Sequence, residues 1–231
     1  MHAAGHTVLL PRLPHHGLKD RRGHDLGRLT PDDLCVTAND AVDVGAGLGE
    51  RVVFAGISLG AVVAAWAALH RSDVHRVVLI APLFAVAGFP TWCSDAAGWA
   101  STWLPRFYIW WDRSARDKAE RPEYAYPGFP SRAGGAALRL GAEVRRLSES
   151  QPSAVEDIRL VLNDGDPAAN YEPVERLMRR WERQGARVRT KHFPAELQLR
   201  HDFVSVEQPG QRPEQIYPAL IDWLTADVPS T

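Results

Sequence analysis

Val52-Val53-Phe54-Ala55-Gly56-Ile57-Ser58-Leu59-Gly60-Ala61 is the stretch on which the fold turns. An apolar run of strand character leads straight into Gly-x-Ser-x-Gly and then into a helical pattern, and it is this context that separates a nucleophile-bearing turn from a chance match. In such a turn Ser58 adopts a strained positive-φ conformation, and side chains at 56 and 60 are expected to collide with the neighbouring strand or helix, so both are glycine. The hydroxyl then projects from the C-terminal edge of a sheet. The N–H of Leu59, at a helix N-terminus, is placed to face a developing oxyanion. A plain tight turn with a serine cap would need none of the flanking strand and helix.

Outward from this turn, five β-rich runs are predicted: Thr7–Pro11, Arg51–Gly56, Arg76–Ala81, Ile158–Asn163 and Arg187–Phe193. The second, third and fourth are nearly continuous apolar stretches, as in strands covered on both faces of a parallel sheet. Helices are predicted between most of them. One begins at Thr30-Pro31-Asp32-Asp33, with an N-cap, a first-turn proline and two acids at the positive end of the dipole, and runs to about Gly45–Gly49. Others cover Leu59 to about His70, Glu172 to about Gln184, and Pro213 to about Leu224, the last with Ile216, Leu220 and Leu224 on one stripe. Strand and helix alternate, which defines an α/β architecture with a mostly parallel sheet flanked by helices. Residues 83–153 break the rhythm. They lack a clear strand but carry Trp92, Trp99, Trp103, Trp110, Trp111, Tyr124 and Tyr126. Ordinary connections run to about 4–6 residues, so this insertion is expected to be a mostly helical cap within a single domain spanning 1–231. Trp103 and Trp110 are its candidates for walling an apolar substrate pocket, with packing of the cap on the core as the equal alternative.

A serine at such a turn requires a base and an acid, in the chain order Ser, acid, His. Only His192 and His201 follow the fourth run; His192 falls inside the fifth, whereas His201 sits in the loop after it. For the acid, the fourth run ends in Asn163-Asp164-Gly165-Asp166-Pro167. Asp166 lies further out and is stiffened by Pro167, while Asp164 has the character of a turn former beside Gly165 and is the runner-up. Asp202, directly after His201, is poorly placed to serve its neighbour's ring.

Lys and Arg total 27 against 28 Asp and Glu, so no net field singles out nucleic acid, an anionic membrane or an acidic substrate. Cys35 and Cys93 suggest neither a disulfide framework nor a zinc site, which fits a reducing cytoplasm. The N-terminus lacks the pattern of a signal peptide, and no apolar run approaches the ~18 residues of a membrane span. His2, His6, His15, His16 and His24 crowd the start without a helical pair that includes a carboxylate, so no metal is expected. Only the Pro-Ser-Thr end has the character of a frayed tail.

With these pieces in order, the chain resembles the α/β-hydrolase superfamily, and more narrowly bacterial carboxylesterase and lysophospholipase-like members. Thr7-Val8-Leu9-Leu10-Pro11-Arg12-Leu13-Pro14-His15-His16-Gly17 is similar to that family's arginine-leucine-proline-glycine-histidine-glycine loop, with His15 at a usual glycine; the Ser58 turn, the Asp166-Pro167 turn and the His201-Asp202 loop follow. The resemblance implies hydrolysis of carboxylic, lysophospholipid-like or monoacylglycerol-like esters through an acyl-enzyme on Ser58, with no cofactor. Serine sets the chain apart from dehalogenases and epoxide hydrolases of this fold, which use an aspartate there. It also implies that Thr7–Pro11 is the family's fourth strand, that three earlier strands and a His-Gly loop with a second oxyanion donor belong upstream of Met1, and that the third of them sits between the first two runs. The expected fold is therefore an N-terminally truncated α/β-hydrolase fold. The competing expectation is a catalytically impaired relative that binds a ligand or partner.

Overall fold

The computed structural model describes residues 1–2, 5–18, 25–110, 126–206 and 212–226. His24, Trp111, Tyr124 and the Pro-Ser-Thr tail lie outside the described residues. Four parallel strands, β1 (Val52–Ile57), β2 (Val74–Ile80), β5 (Asp157–Asn163) and β6 (Arg187–Phe193), form a sheet in the order β1-β2-β5-β6. Its middle strands are the continuous apolar runs, and their period-two alternation serves both faces. Val77, Leu79, Ile158, Leu160 and Leu162 point into one core, and Val78, Ile80 and Val161 into the other.

The larger core is covered by α1 (Pro31–Leu48), α2 (Leu59–His70), α4 (Ser131–Leu147) and α5 (Glu172–Arg183). Helix α1 begins with a reciprocal capping box: the Asp33 N–H donates to Thr30 Oγ1, and the Thr30 N–H donates to Asp33 Oδ2. Such a cap stabilises by about 1 kcal/mol. Helix α2 is apolar nearly all round, because it lies between the sheet, α1 and α4. Helix α6 (Pro213–Thr225) buries Ile216 and Leu220 in the smaller core on the other face. At the N-terminal edge of the sheet, buried Arg76 and Arg159 both pair with Asp157 and donate to the last carbonyls of that helix: Arg76 to Leu224 at 2.8 Å, Arg159 to Ala226 at 2.6 Å and also to Trp223.

Two expectations about strands are corrected. Thr7–Pro11 is not a strand, and Val8, Leu9 and Leu10 are exposed. β-propensity cannot make a strand where no neighbour takes up the backbone N–H and C=O groups. In step with this, β1 pairs only with β2 among the described residues, and Val53 and Ala55 are exposed, so the Val52–Gly56 run is covered less fully than its composition suggests.

Residues 83–153 hold α3 (Thr91–Ala100), a two-stranded antiparallel pair of β3 (Tyr108–Trp110) and β4 (Gly128–Pro130), and α4. The short strands were not expected; three residues are too few to display a period of two. Helix α4 sinks Ala133, Ala136, Leu140 and Val144 into the larger core against α2, and Gly98 of α3 allows α3 to approach Leu138 closely. Among the described residues, no helix is long and apolar enough to cross a membrane.

Candidate active site

Strand β1 ends at Ile57 and α2 begins at Leu59, so the whole reversal falls on Ser58, which has φ 55° and ψ −113°. A non-glycine residue there costs on the order of 1–3 kcal/mol and persists only where its surroundings enforce it. Here the Ser58 N–H donates to Ile80 O at 2.9 Å, and its carbonyl accepts from Ala61 and Val62 in the first turn of α2. Gly56 is obligatory, since a Cβ would lie 2.0 Å from the Gly60 carbonyl oxygen. The matching expectation for Gly60 is corrected, because a Cβ there meets nothing within 4 Å. Position 60 looks outward from the helix start, so the clash operates only from 56 toward 60. Leu59 opens α2, where the first N–H groups have no intrahelical acceptor.

Strand β5 delivers the carboxylate. After Asn163 the chain turns, and Asp166 is almost wholly buried, with its side chain 1% exposed. Its Oδ1 accepts the N–H groups of Ala168 at 2.8 Å and Ala169 at 3.2 Å. Oδ2 accepts His201 Nδ1–H at 2.7 Å and the Tyr171 hydroxyl. With Nδ1 carrying the proton, His201 Nε2 is left to accept the Ser58 hydroxyl at 2.7 Å. Burial pushes the Asp166 carboxyl up, but the hydrogen bond and charge of His201, then the Tyr171 hydroxyl and the Ala168 amide, more than offset it and hold the group below its ordinary value. Asp166 is thus a carboxylate, and the imidazole beside it is 13% exposed at the rim.

Three of the sequence-predicted residues, Ser58, His201 and Asp166, are therefore brought into one hydrogen-bonded chain, with Leu59 adjoining. Asp164 is drawn elsewhere: its Oδ1 accepts His192 Nδ1 at 2.7 Å in an exposed pair beside the site. Trp103 stands 88% exposed on the turn after α3, whereas Trp110 is half-buried on β3 with its ring edge-on to Tyr108. Two residues escaped sequence reasoning. Buried Asn163 donates to Leu199 O at 3.0 Å and Arg200 O at 3.3 Å, and accepts Gly165 N–H, so one side chain ties the acid's turn to the histidine's loop. Its signal was a polar residue ending an apolar strand. Tyr171, the other, follows Asp166 by five residues. Among the described residues, no three His, Cys, Asp or Glu side chains are grouped to hold a metal ion.

Solved structures with this architecture include a soluble variant of monoglyceride lipase from Saccharomyces cerevisiae in complex with a substrate analogue. It is 15% identical, covers 92% of this chain and 75% of that one, and has a TM-score of 0.66. A metagenome-derived structure from work on the lipolytic enzymes LipS and LipT is 18% identical over 96% of this chain and 83% of its own, with a TM-score of 0.63. The monoacylglycerol lipase of Paleococcus ferrophilus is 15% identical over 85% and 75%, with a TM-score of 0.59. These likenesses show the fold. A search of curated protein sequences finds no match. A family model described as the alpha/beta hydrolase family matches residues 2–220, and the chain belongs to that family.

Proposed function

We propose that this protein is a serine hydrolase that cleaves carboxylic ester bonds through an acyl-enzyme on Ser58. The observation that carries the proposal is the unbroken relay from Ser58 Oγ to His201 Nε2 and from His201 Nδ1 to Asp166 Oδ2, both links at 2.7 Å. Ser58 Oγ attacks the ester carbonyl while its proton passes to Nε2, and Asp166 stabilises the imidazolium that forms. The tetrahedral oxyanion is met by the Leu59 N–H at the head of α2. As the intermediate collapses, His201 returns the proton to the departing alkoxide. Water, deprotonated by the same imidazole, then releases the acid and restores Ser58. No step calls for a cofactor.

The substrate class follows from the aromatic segment. Within the insertion α4 belongs to the larger core, so α3 and the β3–β4 pair are the part that acts as a cap, and Trp110, with Trp103 on the turn after α3, helps to wall an acyl site. A monoacylglycerol-like ester suits it, and two proteins of the same fold are named for that activity. A panel of p-nitrophenyl esters tests the proposal. Hydrolysis lost in Ser58→Ala is expected, with octanoate preferred to acetate, since each buried methylene adds about 0.8 kcal/mol in an apolar site. Near-normal turnover in Ser58→Ala would end the proposal, and equal kcat/KM for the two esters would remove the acyl-binding cap.

A further inference from the structure

The Asp166 carboxylate has two oxygens with separate duties. Oδ1 is occupied by the Ala168 and Ala169 amides of its own turn, which fix the carboxylate to the backbone. Oδ2 alone faces the imidazole, and there the Tyr171 hydroxyl competes with His201 for the same lone pairs. Tyr171 stands at the N-terminus of α5, and its ring packs against both hydrophobic cores, so its position is dictated by the fold and not by the site. Burial, then the hydrogen bond to Asp166, raises the phenol above its ordinary range, so the hydroxyl keeps its proton and donates it to Asp166. Asp164, committed to His192, adds to that effect from the same turn.

We propose that Tyr171 is a positioning residue which, by donating to Asp166 Oδ2, limits how strongly Asp166 holds the protonated form of His201. The inference rests on the hydrolase reading for its catalytic consequence but not for its physical content. A carboxylate oxygen that accepts a second charge-assisted bond offers less negative potential to the first partner. With the hydroxyl removed, the charge on Oδ2 is concentrated on His201, the imidazolium is favoured, and the neutral base needed to accept the Ser58 proton appears only at higher pH. Among the described residues, the side chains that hydrogen-bond to Oδ2 are His201 and Tyr171; Asp164 acts on Tyr171 from the turn, and Ser58 on the far side of the ring carries no charge.

Tyr171→Phe keeps the ring in both cores and deletes only the donor. In this variant the acid limb of the kcat/KM profile should move up by about half to one pH unit, a change that one hydrogen bond to a charged group supplies. The titration of the His201 ring carbon protons, followed by NMR in the free protein, should move the same way. Placing fluorotyrosine at 171, whose phenol is the stronger donor, should move both down. A side chain needed only for packing would lower the melting temperature and leave both profiles where they are, and that result in either variant overturns the proposal. If wild type cleaves no ester yet the ring titration shifts with these substitutions, the hydrolase reading falls and the role of Tyr171 stands.

Discussion

Strand β5 carries a buried carboxylate near each of its ends, and the two have opposite fates. Asp157, where the strand begins, is held by Arg76 and Arg159, with Arg189 at 3.9 Å. Those guanidiniums also hold the final carbonyls of α6, the helix that follows the His201 loop. Asp166, beyond the other end of the strand, is held by an imidazole, a phenol and two amides. In both cases burial pushes the carboxyl up and its partners bring it below the ordinary value. The difference lies in the partners. Arginine keeps its charge at any working pH, so the Asp157 cluster is a fixed clamp. His201 can take and return a proton at the rim of the sheet's C-terminal edge, where open α/β sheets bind ligands. A buried, hydrogen-bonded carboxylate does not by itself mark a reactive site; in the proposed function the mark is an imidazole that links the carboxylate to the strained Ser58.

Substitutions at the two carboxylates should therefore separate activity from stability. The largest effect is expected from Asp166→Asn, with kcat reduced on the order of 10⁴-fold because the amide favours the wrong imidazole tautomer. Stopped-flow or steady-state ester hydrolysis checks it, and a loss of only a few-fold would place Asp166 outside the relay. Asp157→Asn should do the reverse. It strands two buried guanidiniums and is expected to cost about 3–5 kcal/mol by urea denaturation, with turnover per folded molecule kept. The sign of its pH dependence follows from the lowered carboxyl. The clamp stabilises the fold above the ordinary carboxylate range, and that contribution is lost as pH falls through the folded value, so the variant should show a flatter acid limb of stability. Unchanged stability would contradict the clamp. The smallest effect is expected at Asp164→Asn, which disturbs an exposed pair with His192 worth about 0–1 kcal/mol. Should that substitution outweigh Asp166→Asn in the same assay, the acid is Asp164.

The same two ends of β5 show how far the sequence could be read. That Ser58, His201 and Asp166 would meet in one hydrogen-bonded chain was legible because a strained turn imposes a local pattern and chain order restricts the rest. The bounds of strand β6 were legible from its β-rich composition, and helix α2 was legible from its apolar run after the Ser58 turn to within about a residue of its end. Asn163 and Tyr171 were not, since their roles exist only once the loop at Leu199–Arg200 and the start of α5 converge on the Asp166 turn. Nor was the Arg76–Asp157–Arg159 clamp, whose members look like ordinary surface charge until the sheet aligns them. Thr7–Pro11 had strand composition without a strand's neighbour, and β3 and β4 had a neighbour without enough residues to display a pattern.

The most direct test of the account is labelling by a fluorophosphonate probe, which requires an activated serine and no knowledge of the substrate. Intact mass and peptide mapping should find a single adduct on Ser58 in wild type, labelling slowed by orders of magnitude in His201→Ala, and undiminished labelling per folded molecule in Asp157→Asn. A wild-type protein that stays unlabelled while folded, or that is labelled as quickly without His201, would contradict the claim that this relay activates Ser58.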